Sequence, residues 1–303
     1  MNYRHAYHAG NFADVVKHAV LCRIMTHLRL KPAAFRVIDT HAGAGVYDLA
    51  GPEASKTSEW RGGIGRLMGA QVLGAQVLDA QALSAEAKMP EHARALLAPY
   101  LDAVKAVNPP GRLTAYPGSS ALVRSMLRPQ DRLIACELEP AAAAALAGTL
   151  RGDVRAKAIA IDGWTALAAY VPPKERRGLV LIDPPFEQPE EYSRLAQGLA
   201  TAHRKWATGM YLLWYPVKDA AEVAAFIRKL ARLGIGRMLR MELVVAMPSG
   251  AKGLPEAKGL RGGGLIAVNP PWTLHDELQV LLPALGAVLR RGGSPRPTLE
   301  WIA

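Results

Sequence analysis

Short, nearly unbroken apolar runs recur along the chain, and most of them stop at an acidic residue. FRVID (35–39) ends at Asp39, RLIACE (132–137) at Glu137, AKAIAID (156–162) at Asp162 and GLVLID (178–183) at Asp183. MYLLWYP (210–216) is a fifth run. Between them lie segments with helical spacing: 140–150, 165–171, 190–206 and 219–234. Runs that are apolar throughout predict strands covered on both faces, and their alternation with helices predicts βαβ units in a parallel sheet. Right-handed crossovers then bring the four acidic ends to one sheet edge, the edge at which α/β sheets bind ligands.

The C-terminal part follows another rhythm. MLRMELVVAMP (238–248) and GGGLIAVNPP (262–271) are two strands with only a Gly/Lys-rich loop between them, which predicts an antiparallel hairpin at the sheet edge. Residues 272–293 read as a helix, and TLEWI (298–302) as a candidate last strand. From Gly45 to Arg132 the chain is far longer than the dozen or so residues of one crossover. Within it, 90–108 reads as an amphipathic helix, and GAQVLGAQVLDAQAL (69–83) repeats a five-residue echo three times, too short a period for a solenoid. The expectation is an α/β fold with a mostly parallel seven-stranded sheet, built from 1–46 and 114–303, and a small helical insertion at 47–113. Residues 1–20 are expected to lie over the site.

Composition narrows the class. At 303 residues with half of them hydrophobic, the chain can bury a sizeable core. No apolar run reaches the length of a membrane span, and the polar, aromatic N-terminus lacks the apolar stretch of a secretory signal. Cys22 and Cys136 stand alone, which excludes paired-cysteine metal sites and suggests a reduced, cytoplasmic setting. The formal net charge of +11 favours a polyanionic partner, above all nucleic acid, although the basic residues are scattered.

The turn DTHAGAG (39–45) follows the first strand, and its Gly43 and Gly45 let the backbone approach a ligand closely. Where a dinucleotide fold needs a third glycine, the chain has Asp48, a carboxylate that disfavours a diphosphate. The acidic ends suit S-adenosyl-L-methionine (SAM) better. Asp39 suits a cationic amine, Glu137 two ribose hydroxyls, and Asp162-Gly163 an adenine amine. The decisive segment is Asp-Pro-Pro-Phe (183–186). An exocyclic adenine amine is a poor nucleophile because its lone pair is delocalised into the ring. Asp183 and the Pro184 carbonyl can accept its two N–H groups, the prolines hold both acceptors still, and Phe186 offers a stacking face for the base.

The first 41 residues hold five of the eight histidines, His5, His8, His18, His27 and His41. They could ligate a metal with Asp14, but no cysteine or HExxH pattern joins them, and no metal is expected. Tyr3, Arg4, His5 and Lys17 together fit an aromatic and basic flap over a base. Helical spacing puts Asp14, Lys17 and His18 on one turn, with Val15, Val16 and Val20 available for packing.

Several segments carry a resemblance: YRHAYHAGNFADVVKH (3–18), DTHAGAGVYDL (39–49), YPGSSALVRSMLRPQDRL (116–133), RRGLVLIDPPFE (176–187), WATGMYLLWYPV (206–217) and GLIAVNPPW (264–272). Together they resemble the RlmJ family of bacterial 23S ribosomal RNA adenine-N6 methyltransferases, over nearly the whole chain except 69–89. The resemblance implies a Rossmann-like class I SAM-dependent methyltransferase that methylates N6 of adenine 2030 in 23S rRNA. It implies Asp183 as the catalytic carboxylate, with SAM contacts from His18, His41, Ser119, Glu137, Asp162 and Gly163. Tyr3 would meet the RNA, with His5 and Lys17 supporting the active site. The family typically has Tyr where this chain has Phe186, which keeps the ring and loses the hydroxyl. A monomer is the default expectation.

Two other classes remain open on the residues alone. An N6-adenine DNA methyltransferase shares the Pro-Pro turn, but no target-recognition domain of that kind is visible. A nucleotide-binding oxidoreductase shares the Gly turn but has no use for Asp-Pro-Pro-Phe. The chain also contains a near-copy of that turn, Asn-Pro-Pro-Trp (269–272). Its place after the antiparallel turn predicts a strand-to-helix connection away from SAM, with Pro270 and Pro271 starting the helix and Trp272 packed.

Overall fold

The computed structural model describes residues 4–69, 89–245, 260–291 and 296–302. Tyr3 and most of the five-residue echo lie outside these residues. Among the described residues ten strands are formed: β1 Arg36–Asp39, β2 Val46–Asp48, β3 Ala115–Pro117, β4 Arg132–Glu137, β5 Ala156–Ala160, β6 Gly178–Ile182, β7 Met210–Pro216, β8 Met238–Val244, β9 Gly262–Val268 and β10 Arg296–Trp301. The α-helices are α1 Phe12–Arg29, α2 Pro52–Thr57, α3 Ile64–Met68, α4 Glu91–Ala106, α5 Ser119–Met126, α6 Pro140–Thr149, α7 Gly163–Tyr170, α8 Glu191–Lys205, α9 Ala220–Ala231 and α10 Leu274–Leu289. Two 3-10 turns, His5–Tyr7 and Glu59–Gly62, flank them.

Eight strands make the main sheet in the order β10-β8-β9-β7-β6-β1-β4-β5. The five strands from β5 to β7 are parallel, and β9 runs antiparallel between β7 and β8. The expected hairpin is therefore β8–β9, but it is not the edge of the sheet. β10 pairs antiparallel with β8 from Arg296↔Val244 to Trp301↔Leu239 and adds an eighth strand to the seven expected. β2 and β3 form a small separate ladder that brings Tyr47 opposite Tyr116.

Burial explains most of the pattern. β6 sits inside the sheet and is covered at every residue. β5 is a sheet edge, and two of its five residues are exposed despite the apolar run. α1 is buried on nearly every side. Asn11 caps it by accepting from the Ala13 and Asp14 N–H groups, which fixes Asp14 in the first turn. The 47–113 stretch contributes α2, α3 and α4, and their apolar residues join the core packed around α1 and α10. No helix among the described residues is long and apolar enough to cross a membrane.

The Asn-Pro-Pro-Trp copy lies at the opposite edge from Asp183, because antiparallel pairing sets Val268 against Tyr211 near the start of β7. Asn269 takes a left-handed conformation (φ 50°) and donates to the Ala207 and Gly209 carbonyls at 2.8 and 2.9 Å. Two expectations fail here. Pro270 and Pro271 precede the helix, which begins at Leu274, and Trp272 is 77% exposed instead of packed.

Candidate active site

Residue pairing sets the site. Asp39 at the end of β1 is in register with Ala135 on β4 and Leu181 on β6, so the acidic strand ends rise along one edge on both sides of β1. The chain leaves β1 toward β4 on one side and β6 on the other, and the crevice at this switch opens into a cavity of about 910 Å³. Its wall includes Glu137 and Asp162 on one flank and Asp183, Pro184 and Phe186 on the other. His18, His41, Gly43, Ser119 and Gly163 line it as well, as do His5 and Lys17 from the N-terminal part.

Asp39 departs from its expected position. It is fully buried and does not line the cavity; Thr40 and His41, the next residues, do. Ser119, at the start of α5, donates to Asp39 Oδ2 at 2.6 Å and so relates it to the cavity. Burial pushes the Asp39 carboxyl up to about 7, and Oδ1 has no hydrogen-bond partner among the described residues. An unpartnered buried carboxylate oxygen is costly unless a donor reaches it.

Glu137 is oriented by backbone donors. Its Oε2 accepts from Gly43 N–H at 2.9 Å, and its Oε1 from the Leu138 and Glu139 N–H groups at 2.8 Å each. Asp162 caps α7, with Oδ2 accepting from Thr165 N–H at 2.8 Å. A side chain at Gly163 would run into the Thr40 carbonyl and the His41 ring, and one at Gly43 into the Tyr47 hydroxyl. Gly43 also has φ 61°. Burial lowers His41 to about 4 and His18 to about 3, so both rings are neutral. His18 Nδ1 lies 2.7 Å from the Tyr116 hydroxyl, which meets the Tyr100 hydroxyl at 3.0 Å. Tyr100 comes from α4, in the 47–113 stretch, which thus buttresses the cavity wall.

The catalytic candidate is tied to the first helix. Lys17 Nζ donates to Asp183 Oδ2 and, at 2.8 Å, to Asp14 Oδ1. Asp14 Oδ2 in turn accepts from His5 Nε2 and Gly10 N–H, both at 2.9 Å. Burial opposes the Lys17 charge, but Asp14 and Asp183 outweigh it and hold the ammonium above the ordinary lysine value. Burial likewise opposes ionisation of Asp14, and His5 and Lys17 reverse that and keep it well below the usual carboxylate range. The helical spacing singled out Asp14, but its part in this array was not foreseen. The signal was Asp at i and Lys at i+3 on a helix with no solvent face.

Phe186 is also constrained. It has φ 52°, a left-handed backbone that costs a non-glycine residue about 1–2 kcal/mol. Its ring meets Tyr192 edge-on at 4.9 Å and Trp214 at 5.6 Å. Trp214 was missed as a site residue. Ile182 pairs with Leu213, so Trp214 stands beside Asp183 at the sheet edge and lines the cavity.

A doubly wound sheet with antiparallel β9 set between β7 and β8, and acidic strand ends around a glycine turn, defines a class I methyltransferase. The orphan Asp39 oxygen and the Glu137 and Asp162 carboxylates on the cavity wall fit its cofactor, SAM. Comparison with known proteins makes this specific. Residues 32–303 match the family described as ribosomal RNA large subunit methyltransferase D, RlmJ. The chain is 37% identical over 302 residues to the Escherichia coli (strain K12) protein named ribosomal RNA large subunit methyltransferase J, covering 100% of this chain and 99% of that one. A Haemophilus influenzae protein of the same name is 35% identical over 303 residues, with coverage of 100% and 99%. A crystal structure of a Legionella pneumophila protein superposes with a TM-score of 0.82 at 32% identity, covering 97% of this chain and 98% of that one. The chain belongs to the RlmJ family of SAM-dependent ribosomal RNA methyltransferases. That membership sets aside the oxidoreductase alternative.

Proposed function

We propose that this enzyme methylates the exocyclic N6 of one adenine in 23S rRNA, and that this adenine is at position 2030. The observation that carries the reading is the Lys17–Asp183 pair at the cavity's inner end. It occupies Oδ2 of Asp183 and leaves Oδ1 to accept an N–H from the target amine. The Pro184 carbonyl is the second acceptor, and the two prolines fix both before the substrate arrives. Two acceptors draw the amine hydrogens out of the ring plane and return the lone pair to nitrogen.

When bound, SAM supplies a methyl group on a sulfonium, which needs no metal or covalent enzyme intermediate. The chain's own contribution is placement, which can supply a large share of the rate. Glu137 takes the ribose hydroxyls, Asp162 and Gly163 hold the adenine end, and Ser119, its hydroxyl proton held by the buried Asp39, offers its oxygen to the methionine amine. His18 and His41 stay neutral, so neither adds a positive charge beside the sulfonium. Phe186, braced by Tyr192, and Trp214 give the target base aromatic surface; Tyr3 would add to it, with His5 behind. The core at 1–46 and 114–303 carries the chemistry, and 47–113 supports its wall from the side. The enzyme would act as a monomer in the cytoplasm.

The test is mass-spectrometric mapping of methyl groups on 23S rRNA incubated with enzyme and isotope-labelled SAM. Label on adenine N6 is expected at one position and absent with Asp183→Ala, which still binds SAM. Label on another atom would overturn the assignment.

A further inference from the structure

Four arginines gather next to the part of the cavity wall formed by Asn11 and Glu59. Arg61 lies in the turn Glu59–Gly62, Arg66 in α3, and Arg290 and Arg291 directly follow α10. The side chains of Arg61, Arg66 and Arg291 are braced rather than loose. The Arg66 guanidinium donates to the Arg290 carbonyl, and Arg291 N–H to the Val245 carbonyl at 2.7 Å. The Arg61 guanidinium lies over the Trp60 ring at 5.5 Å, and that of Arg291 over Phe12 at 5.2 Å. Phe12 opens α1, and Glu59 and Asn11, which line the cavity, adjoin the group.

Among the described residues none of the four arginines forms a salt bridge. Glu59 is the nearest carboxylate to influence Arg291, but its oxygens are engaged by His8 at 3.1 Å and Asn11 at 3.0 Å. Burial lowers the Arg291 pKa and Arg66 lowers it further. Like charges held together with no salt bridge among the described residues cost stability, so folding alone gives no reason for the arrangement. Planar guanidiniums fixed against rings and backbone suit bidentate contact with phosphate oxygens.

Resting on the reading of an RNA substrate, we infer that Arg61, Arg66, Arg290 and Arg291 form a phosphate footing that seats the RNA backbone on the insertion side of the cavity mouth. The footing positions RNA and carries no base specificity. It places the insertion and the end of α10 in substrate contact, away from the SAM wall.

The test replaces three charges and keeps Arg291, which covers Phe12. Arg61→Gln/Arg66→Gln/Arg290→Gln is compared with Arg228→Gln/Lys229→Gln/Arg232→Gln at the end of α9, a control with the same loss of charge and no residue in the cavity wall. Binding to protein-free 23S rRNA is titrated across KCl concentrations, alongside SAM affinity and single-turnover rate. Each lost single-strand phosphate contact lowers the salt slope by about 0.7, so the footing variant should lose about 2 and at least roughly tenfold in RNA affinity. Its SAM affinity and rate at saturating RNA should match wild type, its melting temperature should not fall, and the control should keep the wild-type slope. A footing variant with wild-type affinity and slope overturns the inference, as does a control that loses as much. Wild-type enzyme that binds RNA in this salt-dependent way but leaves adenine N6 unlabelled would overturn the methylation reading and leave the footing standing.

Discussion

An amide should not replace the carboxylate at position 183, although asparagine opens the same kind of turn in the second copy at 269–272. The reason is Lys17. Its ammonium already donates to Asp183 Oδ2 and is itself pinned by Asp14. In Asp183→Asn the amide has one acceptor and one donor group, and Lys17 can face only the oxygen. A hydrogen bond to a charged group contributes about 1.5–3 kcal/mol, which weights that orientation by roughly 10- to 150-fold. The NH2 group then points at the target amine, two donors face each other, and the fixed acceptor is lost. Loss of one preorganised hydrogen-bonding group costs about 2.7–4 kcal/mol, or 10²–10³ in kcat. Single-turnover transfer from labelled SAM to 23S rRNA should fall by about that much, with SAM affinity unchanged by calorimetry. Adding Lys17→Met removes the competing donor and should return about tenfold of the lost rate, even though an underpartnered Asp14 costs the double variant about 3–5 kcal/mol of stability. An Asp183→Asn enzyme within tenfold of wild type would refute this account of the turn.

Three further outcomes follow from the same geometry. Burial raises Asp39 above its unfolded value to about 7, so the folded protein favours the protonated form; without SAM, stability should fall as pH rises from about 4 to 7 and level off above, by a few kcal/mol in order of magnitude, and the melting-temperature profile of Asp39→Asn should lack that component. Asn269→Ala removes two hydrogen bonds and leaves alanine at φ 50°, so denaturant titration should show a loss of about 1–3 kcal/mol while the rate at saturating substrates stays at wild type; a dead variant would mean that the second copy takes part in chemistry. Gly163→Ala drives a methyl into the Thr40 carbonyl and the His41 ring, so calorimetry should show SAM affinity reduced at least tenfold, and unchanged binding would place the cofactor elsewhere.

What the chain discloses locally and what it withholds divide along physical lines. Apolar runs ending in carboxylates placed Glu137, Asp162 and Asp183 at one edge, because a parallel sheet leaves its strand ends no other arrangement. The same logic put Asp39 in the cavity and was off by one residue: the chain stays buried through Asp39, and the surface begins at Thr40. Three-residue strands such as β2 and β3 are too short to carry an alternation. Trp214 read as one more apolar residue of its strand until pairing set it beside Asp183. The salt bridge from Lys17 to Asp183 spans 166 residues, a separation no periodicity can record. The aromatic and basic N-terminal cluster and likeness to a family pointed to Lys17 as part of the site, but neither pointed to its pairing with Asp183.

β10 has a consequence that reaches past catalysis. Without it, β8 would present seven consecutive residues of open backbone, Met238–Val244, five of them hydrophobic and most of them buried. Such a flank invites a second chain to add its own strand. By lying along it through six paired positions, β10 closes the flank from within the same polypeptide. An enzyme whose last strand is cut away would keep its catalytic edge four strands distant from the damage. It would be lost from solution by self-association before any defect in methyl transfer could be measured.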